Sequence, residues 1–413
     1  MNKRLSILTL CIVGLSMLFI LIGTLFNNTN DNIVDIIGDK NSLENINILY
    51  QNKDGIFDTR ETIISKDGLN IKQFSKELPD IYKYSKEAID NRDLFKHIYD
   101  TATIYHDENE IGCFLENGYG TDDKGNMDID FIIKNKNLKT NKIKTINKNV
   151  NIKLNNSKVS PYLLPSVITK YNGTVYMLLS HIEEIDTKSG VNNTHKKDKN
   201  THIKIYTIDT DNENINIKEV DKLEVKDKNI DISEINARFV YDNKMYIMFR
   251  DGDSQNKDYI VYYDLVNKKF DYIKNPIYTK EMNDYDSNKY SIDDGKLNII
   301  TKVTPKKDDK YNRFYLTTID LKNEKIINSN KEYKIEKINN YVDVEDLRVI
   351  DNKVCLLLNS YKYANIYKDI EERDIAKHVL ILDENSQDIL YMGKYSDGDI
   401  NYDVRYILKD DEL

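Results

Sequence analysis

Four stretches of this chain carry one pattern at nearly even spacing, and that repetition limits the fold more than any other feature. They are Ile208–Ile215 (IDTDNENI), Tyr263–Phe270 (YDLVNKKF), Ile319–Ile326 (IDLKNEKI) and Leu382–Ile389 (LDENSQDI). Each has an apolar residue, then Asp, then a polar turn containing Asn or Ser, then an apolar residue six positions after the Asp. The aspartates, Asp209, Asp264, Asp320 and Asp383, stand 55, 56 and 63 residues apart. Apolar-rich runs precede them (HIKIYTI, DYIVYY, FYLTTI, HVLIL). Asp and Asn bond their own backbone and tolerate tight conformations, so each stretch reads as a β-hairpin turn.

A second hairpin stands ahead of each aspartate. SVITKYNGTVYMLLS precedes Asp209, with a longer excursion between; ARFVYDNKMYIMF, YSIDDGKLNIIT and LRVIDNKVCLLL precede the other three. Each period therefore holds four strands. Four-stranded units recurring at roughly 40–55 residues are the mark of a β-propeller, in which stacked blades bury faces that one sheet leaves bare. Residues 102–147 supply a further unit. Upstream, INILYQN, FDTRETIIS and LNIKQFS give only three strands, and Tyr402–Leu408 is a spare strand at the other end. If that strand completes the N-terminal unit, the ring closes with six blades; seven blades, or a sandwich, are the alternatives.

Over residues 45–413 the chain thus resembles the broad class of bacterial membrane-anchored β-propeller proteins, at fold level. The resemblance implies an all-β domain and nothing about chemistry. With no Trp, the chain lacks the WD dipeptide, the aromatic Asp-box of sialidases and the Trp-bearing repeats of quinone-cofactor dehydrogenases. No family's catalytic residues carry over.

Ahead of the repeats, Leu5–Phe26 is 22 positions without a charge, long enough as a helix to cross a hydrocarbon layer of roughly 30 Å. Lys3 and Arg4 precede it and no cation follows closely, so residues 1–4 are expected in the cytoplasm. The expected organisation is an anchor at 5–26, a linker at 27–44 and an extracytoplasmic propeller-like domain at 45–413. No small-x-small site follows Phe26, which favours an uncleaved anchor over a signal peptide.

The net charge of −9 disfavours nucleic acid as a partner, because an acidic surface repels phosphate backbones. Among three cysteines, Cys113 and Cys355 sit in apolar runs without a metal-ligand neighbour and read as buried small residues. The acidic loops at 52–58, 122–130 and 251–258 lack the twelve-position calcium pattern and read as turns. The six histidines are dispersed. Pro79–Tyr99 has partly helical spacing, and Ile182–His202 is expected as a mobile hairpin loop. No cofactor and no metal site is expected.

One feature goes beyond scaffolding. Arg238, Arg348 and Arg405 recur in the first strands of their units (NARFV, DLRVI, DVRYI). First strands line a propeller's channel, so these arginines offer either a site for an anionic ligand or ion pairs that hold the channel together. The sequence therefore points to a membrane-anchored extracytoplasmic binding, sensing or scaffold protein beside a membrane or cell-envelope partner. The alternatives are a hydrolase or lyase acting on cell-surface glycans or peptides, and a purely structural surface protein.

Overall fold

The protein is seen here as a computed structural model. The structure describes residues 32–410 except 55–57, 75–90, 96–102, 107, 122–126, 153–157, 160–166, 188–195, 210–215, 226–229, 233–236, 252–256, 275–276, 279–286, 304–308, 340, 362–374 and 397–403. The apolar segment Leu5–Phe26 lies outside these residues. Among the described residues no helix is long and apolar enough to cross a membrane.

The described chain is almost wholly antiparallel β-structure. After β1 (Asn32–Gly38) come β2 (Ile46–Asp54), β3 (Asp58–Ser65) and β4 (Gly68–Phe74) of a first sheet. The second sheet is β5 (Thr103–His106), β6 (Glu110–Thr121), β7 (Met127–Asn137) and β8 (Ile143–Ile152). The third is β9 (Lys158–Val159) with β10 (Val167–Tyr171), β11 (Thr174–Thr187), β12 (Lys196–Asp209) and β13 (Asn216–Val225). The fourth is β14 (Ile230–Ile232) with β15 (Arg238–Tyr241), β16 (Lys244–Asp251), β17 (Lys257–Asp264) and β18 (Lys269–Tyr272) with β19 (Ile277–Tyr278). The fifth is β20 (Ser287–Asp293), β21 (Lys296–Val303), β22 (Tyr311–Asp320) and β23 (Lys325–Glu336). The sixth is β24 (Tyr341–Ile350), β25 (Lys353–Tyr361), β26 (Ile375–Asp383) and β27 (Ile389–Ser396). The last strand, β28 (Val404–Lys409), returns to the first sheet and pairs with β2 from Gln51↔Val404 to Ile46↔Lys409.

First strands of neighbouring sheets pack side by side: β5 on β10, β10 on β15, β20 on β24, and β24 on β28. Six antiparallel sheets, each built on four principal strands, are consistent with a six-bladed propeller whose first blade is completed by β28. Apolar clusters fill the seams. Phe114 and Phe131 of the second blade meet Met177 of the third, and Phe314 and Leu316 of the fifth meet Leu356 and Leu380 of the sixth. Ile46 and Ile48 of the first meet Cys355 and Ile381 of the sixth. Burial lifts both thiols above their usual range, Cys113 to about 12.

The turns explain why the sequence folds in this rhythm. Between first and second strands lie Asn172–Gly173, Asp242–Asn243, Asp294–Gly295 and Asp351–Asn352, all at positive φ, the two-residue hairpin turn that matches strand twist. Between third and fourth strands the repeated aspartate caps the turn. Asp264 Oδ1 accepts from the backbone N–H groups of Val266 and Asn267 at 2.8 and 2.9 Å. Asp320 accepts from Asn323, and Asp383 from Asn385 and Ser386. Lys268, Glu324 and Gln387, each four positions after its Asp, take positive φ. Asp209 ends β12 in the same place; the turn after it lies outside the described residues.

Two expectations change. Residues 32–38, assigned to a linker, form β1, which adds to the outer edge of the sixth blade with Asn32 opposite Ser396 and Gly38 opposite Tyr391. Its apolar run stands outside the repeat, so nothing in the periodicity announces it. Ile182–His202 is no open loop over most of its length. β11 and β12 stay in register to Thr187↔Lys196, with Glu184 opposite Lys199 and Asp186 opposite Lys197, and opposite charges at facing positions favour pairing. The short helix expected over Pro79–Tyr99 falls mostly outside the described residues; the described part holds a 3-10 turn, Arg92–Phe95, with Leu94 buried.

Candidate functional site

Antiparallel strands give each blade two ends. The connections joining first to second and third to fourth strands run two to six residues, and they form a tight-turn face. Those joining second to third strands, and one blade to the next, emerge at the opposite end and are mostly longer. Loops on a rigid scaffold are where proteins usually carry recognition.

On the innermost strands, the fifth, sixth and first blades meet in a polar clasp. Arg348 Nε donates to Asp293 Oδ1 at 2.6 Å, with the Asp293 carboxylate 1% exposed. Asp293 Oδ2 also accepts from the Val349 N–H at 2.9 Å and from Ser291 Oγ at 2.6 Å. A β-bulge between Val344 and Asp346 displaces the Asp346 carboxylate, which accepts the Ile407 N–H of β28 at 2.8 Å. Burial lifts the Asp346 carboxyl to about 6, against its two backbone hydrogen bonds and the nearby Arg348.

Further out in the same seam lies a second polar group. Ile300, Phe314, Leu358 and Leu380 belong to one apolar cluster. Two residues along each of these strands stand Lys302, Asn312, Ser360 and His378, all at most 3% exposed. Side chains two apart share a face, so a polar layer caps the apolar one toward the longer connections. His378 Nε2 lies 3.1 Å from Ser360 Oγ. Burial, and then the charge of Lys394, hold the imidazole down to about 4, so it is neutral at pH 7. Among the described residues, His378 Nδ1 and both polar atoms of the Asn312 side chain have no hydrogen-bond partner. Partial burial lifts the Asp343 carboxyl, opposed by nearby Lys302. Among the described residues no carboxylate meets Nδ1, the position from which one orients a triad histidine. In this form the layer is equipped to hydrogen-bond.

The three arginines fall on innermost strands, as the sequence suggested. Arg238 and Arg348 do not share one set of contacts. Arg348 pairs with Asp293. Arg238 sits at the seam between the fourth and fifth blades, where the Tyr290 hydroxyl donates to its carbonyl at 3.2 Å and burial lowers its pKa to about 10. Arg405 stands opposite Tyr50 in register, and its side chain lies outside the described residues. Among the described residues no group of three or more His, Cys, Asp or Glu is arranged to hold a metal. Asp293, Asn312 and Ser360 were not singled out from the sequence, whereas Asp346 stands two positions before Arg348 and His378 was one of the dispersed histidines. The available signal was a polar residue two positions from a buried Leu or Phe in KVCLLLNS, HVLIL and NRFYL.

No family model and no curated protein matches this chain. Among solved structures it is similar to a GH32 beta-fructofuranosidase of Bombyx mori, with TM-score 0.33, 10% identity and 88% of each chain covered. It is also similar to the β-propeller domain of the trilobed protease of Pyrococcus furiosus, described as having an open velcro topology: TM-score 0.27, 12% identity, 90% of this chain and 99% of that one. A GH43 protein of Bacillus licheniformis follows at TM-score 0.30, 9% identity, and 75% and 56% coverage. Likeness at this level transfers no activity.

Proposed function

We propose that this chain is a membrane-anchored, extracytoplasmic binding module that takes a membrane or cell-envelope partner on its long-connection face. The observation that carries this reading is the division of labour between the two ends of the ring. One end is closed by hairpin turns fixed by Asp and Asn. The other carries the mostly longer connections, and the buried polar residues Lys302, Asn312, Ser360 and His378 lie toward that end of their strands. A photo-crosslinking residue at exposed Lys310, on the long-connection face, compared with one at exposed Lys322, on the tight-turn face, tests it in intact cells. Adducts from position 310 and not 322 are expected. Adducts from 322 alone, or from neither, would sink the reading.

A hydrolase acting on surface glycans or peptides has the Ser360–His378 contact in its favour. Loss of substrate cleavage in purified Ser360→Ala protein, with folding intact, would establish that alternative.

A further inference from the structure

We propose that β1 is a membrane-docking strand. Its exposed Val34, Ile36 and Ile37 rest on the lipid surface and hold the ring with the rim of the sixth blade against the bilayer. This rests on the reading of Leu5–Phe26 as an anchor.

Direction comes first. β27 runs from the tight-turn face to the long-connection face, and β1 pairs with it antiparallel, starting at Asn32 opposite Ser396. The chain therefore joins the ring at the long-connection end of the outermost edge. Only Asn27–Asp31 separate Phe26 from Asn32. An extended chain covers roughly 20 Å over that interval, so the start of β1 cannot stand farther than this from the end of the apolar segment.

The strand itself is suited to lipid. Val34, Ile36 and Ile37 are 53%, 47% and 39% exposed, while Ile33 is buried against the sixth blade. A bulge between Asp35 and Ile37 lets both Ile36 and Ile37 face out. The one charge on the strand is engaged, since Asp35 accepts from the Tyr391 hydroxyl at 2.8 Å and pairs with Lys40 at 3.5 Å. The strand is also firmly seated. Gly38 has φ +77, and a Cβ there would overlap Leu390 O. A bare apolar edge strand invites edge-to-edge association; a lipid surface within reach of the tether covers it instead. The net charge of −9 favours a zwitterionic surface over an anionic one. Docked this way, the ring presents its long-connection face beside the membrane, so the partner it meets there is membrane-embedded or membrane-adjacent.

The test uses the full chain in phosphatidylcholine vesicles carrying quencher-labelled lipid, with a fluorophore on Val34→Cys, Lys394→Cys or Lys322→Cys. Lys394 pairs with Val34 across the β1–β27 edge, and its replacement leaves β1 untouched. Most of the fluorescence should be lost at positions 34 and 394 and little at 322. Protein that stays with the vesicles through an alkaline wash while 34 and 394 are quenched no more than 322 would overturn docking and leave the anchor standing. Excimer formation between labels at position 34 would assign the edge to a second copy and also overturn it. Release by the wash would overturn the anchor, and docking with it.

Discussion

Arg348 Nε donates to Asp293 Oδ1 at 2.6 Å across the seam between the fifth and sixth blades, and the same guanidinium reaches Ile407 O on β28 at 3.3 Å. One side chain thus ties together three blades, including the one assembled from both ends of the chain. Asp293 is enclosed, whereas Arg348 is about one-fifth exposed. Removing the partner of an enclosed charge is costlier than replacing the pair with apolar groups. Arg348→Met should therefore destabilise by about 3 kcal/mol or more, and the Asp293→Leu, Arg348→Met double variant should recover part of the loss. Urea unfolding of the three variants checks both statements. A single-variant loss no larger than that of a surface pair would show that the clasp does not hold the ring.

Ring closure gives a second expectation. Deleting residues 404–413 strips β2 of its partner from Ile46 to Gln51 and leaves an unpaired edge. The truncated protein should aggregate or lose its single cooperative transition. An unchanged melting temperature would mean that β28 is dispensable.

The pH dependence of stability should be flatter than either of two buried groups alone would make it. The Asp346 carboxyl is raised to about 6, so the folded state holds its proton more tightly than the unfolded chain. Its stabilising contribution is complete below the unfolded value of about 4 and is lost as pH rises through about 6. His378 is lowered to about 4. Its contribution is complete above about 6.5 and is lost as pH falls toward 4. The two oppose each other across the same window. Asp346→Asn should unmask acid instability, and His378→Gln should make stability rise on acidification. Denaturant midpoints at about pH 7 and about pH 4.5 measure the difference, and parallel profiles for the wild type and both variants would contradict the assignment.

The repeated aspartate offers a local test. Asp264 accepts two backbone N–H groups and the Asn267 side-chain amide, at 2.7 Å for the last, and these bonds lower its pKa against partial burial. Asp264→Ala should cost about 1–2 kcal/mol, in line with lost charge-assisted bonds and caps. Asp264→Asn keeps an acceptor and should cost less. Equal losses for Ala and Asn would show that the acceptor is not what matters.

Most of the ring was legible because its devices are local. Asp264, Asp320 and Asp383 close turns within three residues of themselves, and Asp242–Asn243 or Asp294–Gly295 reverse the chain in two. Such contacts leave a periodic trace in sequence. Arg348 was placed on its innermost strand for the same reason. Its partner Asp293 was not, since it lies 55 residues away and belongs to the next blade. His378 and Ser360 look like ordinary strand ends until the fifth blade is packed over them. β1 was missed because its partner β27 lies more than three hundred residues downstream, and no repeat unit contains it.

The closing pair has a temporal side. Asn47 Nδ2 donates to Asp410 Oδ1 at 2.6 Å, across 363 residues of chain. At synthesis rates of about 5–20 residues per second, roughly 20–70 s pass between the emergence of β2 and that of its partner. Throughout that interval the first blade has three strands and an open backbone edge. Every nascent molecule must be kept from pairing that edge with its neighbours until β28 arrives. A stop codon between the first blade's strands and β28 would therefore yield a sticky product rather than a shorter working one.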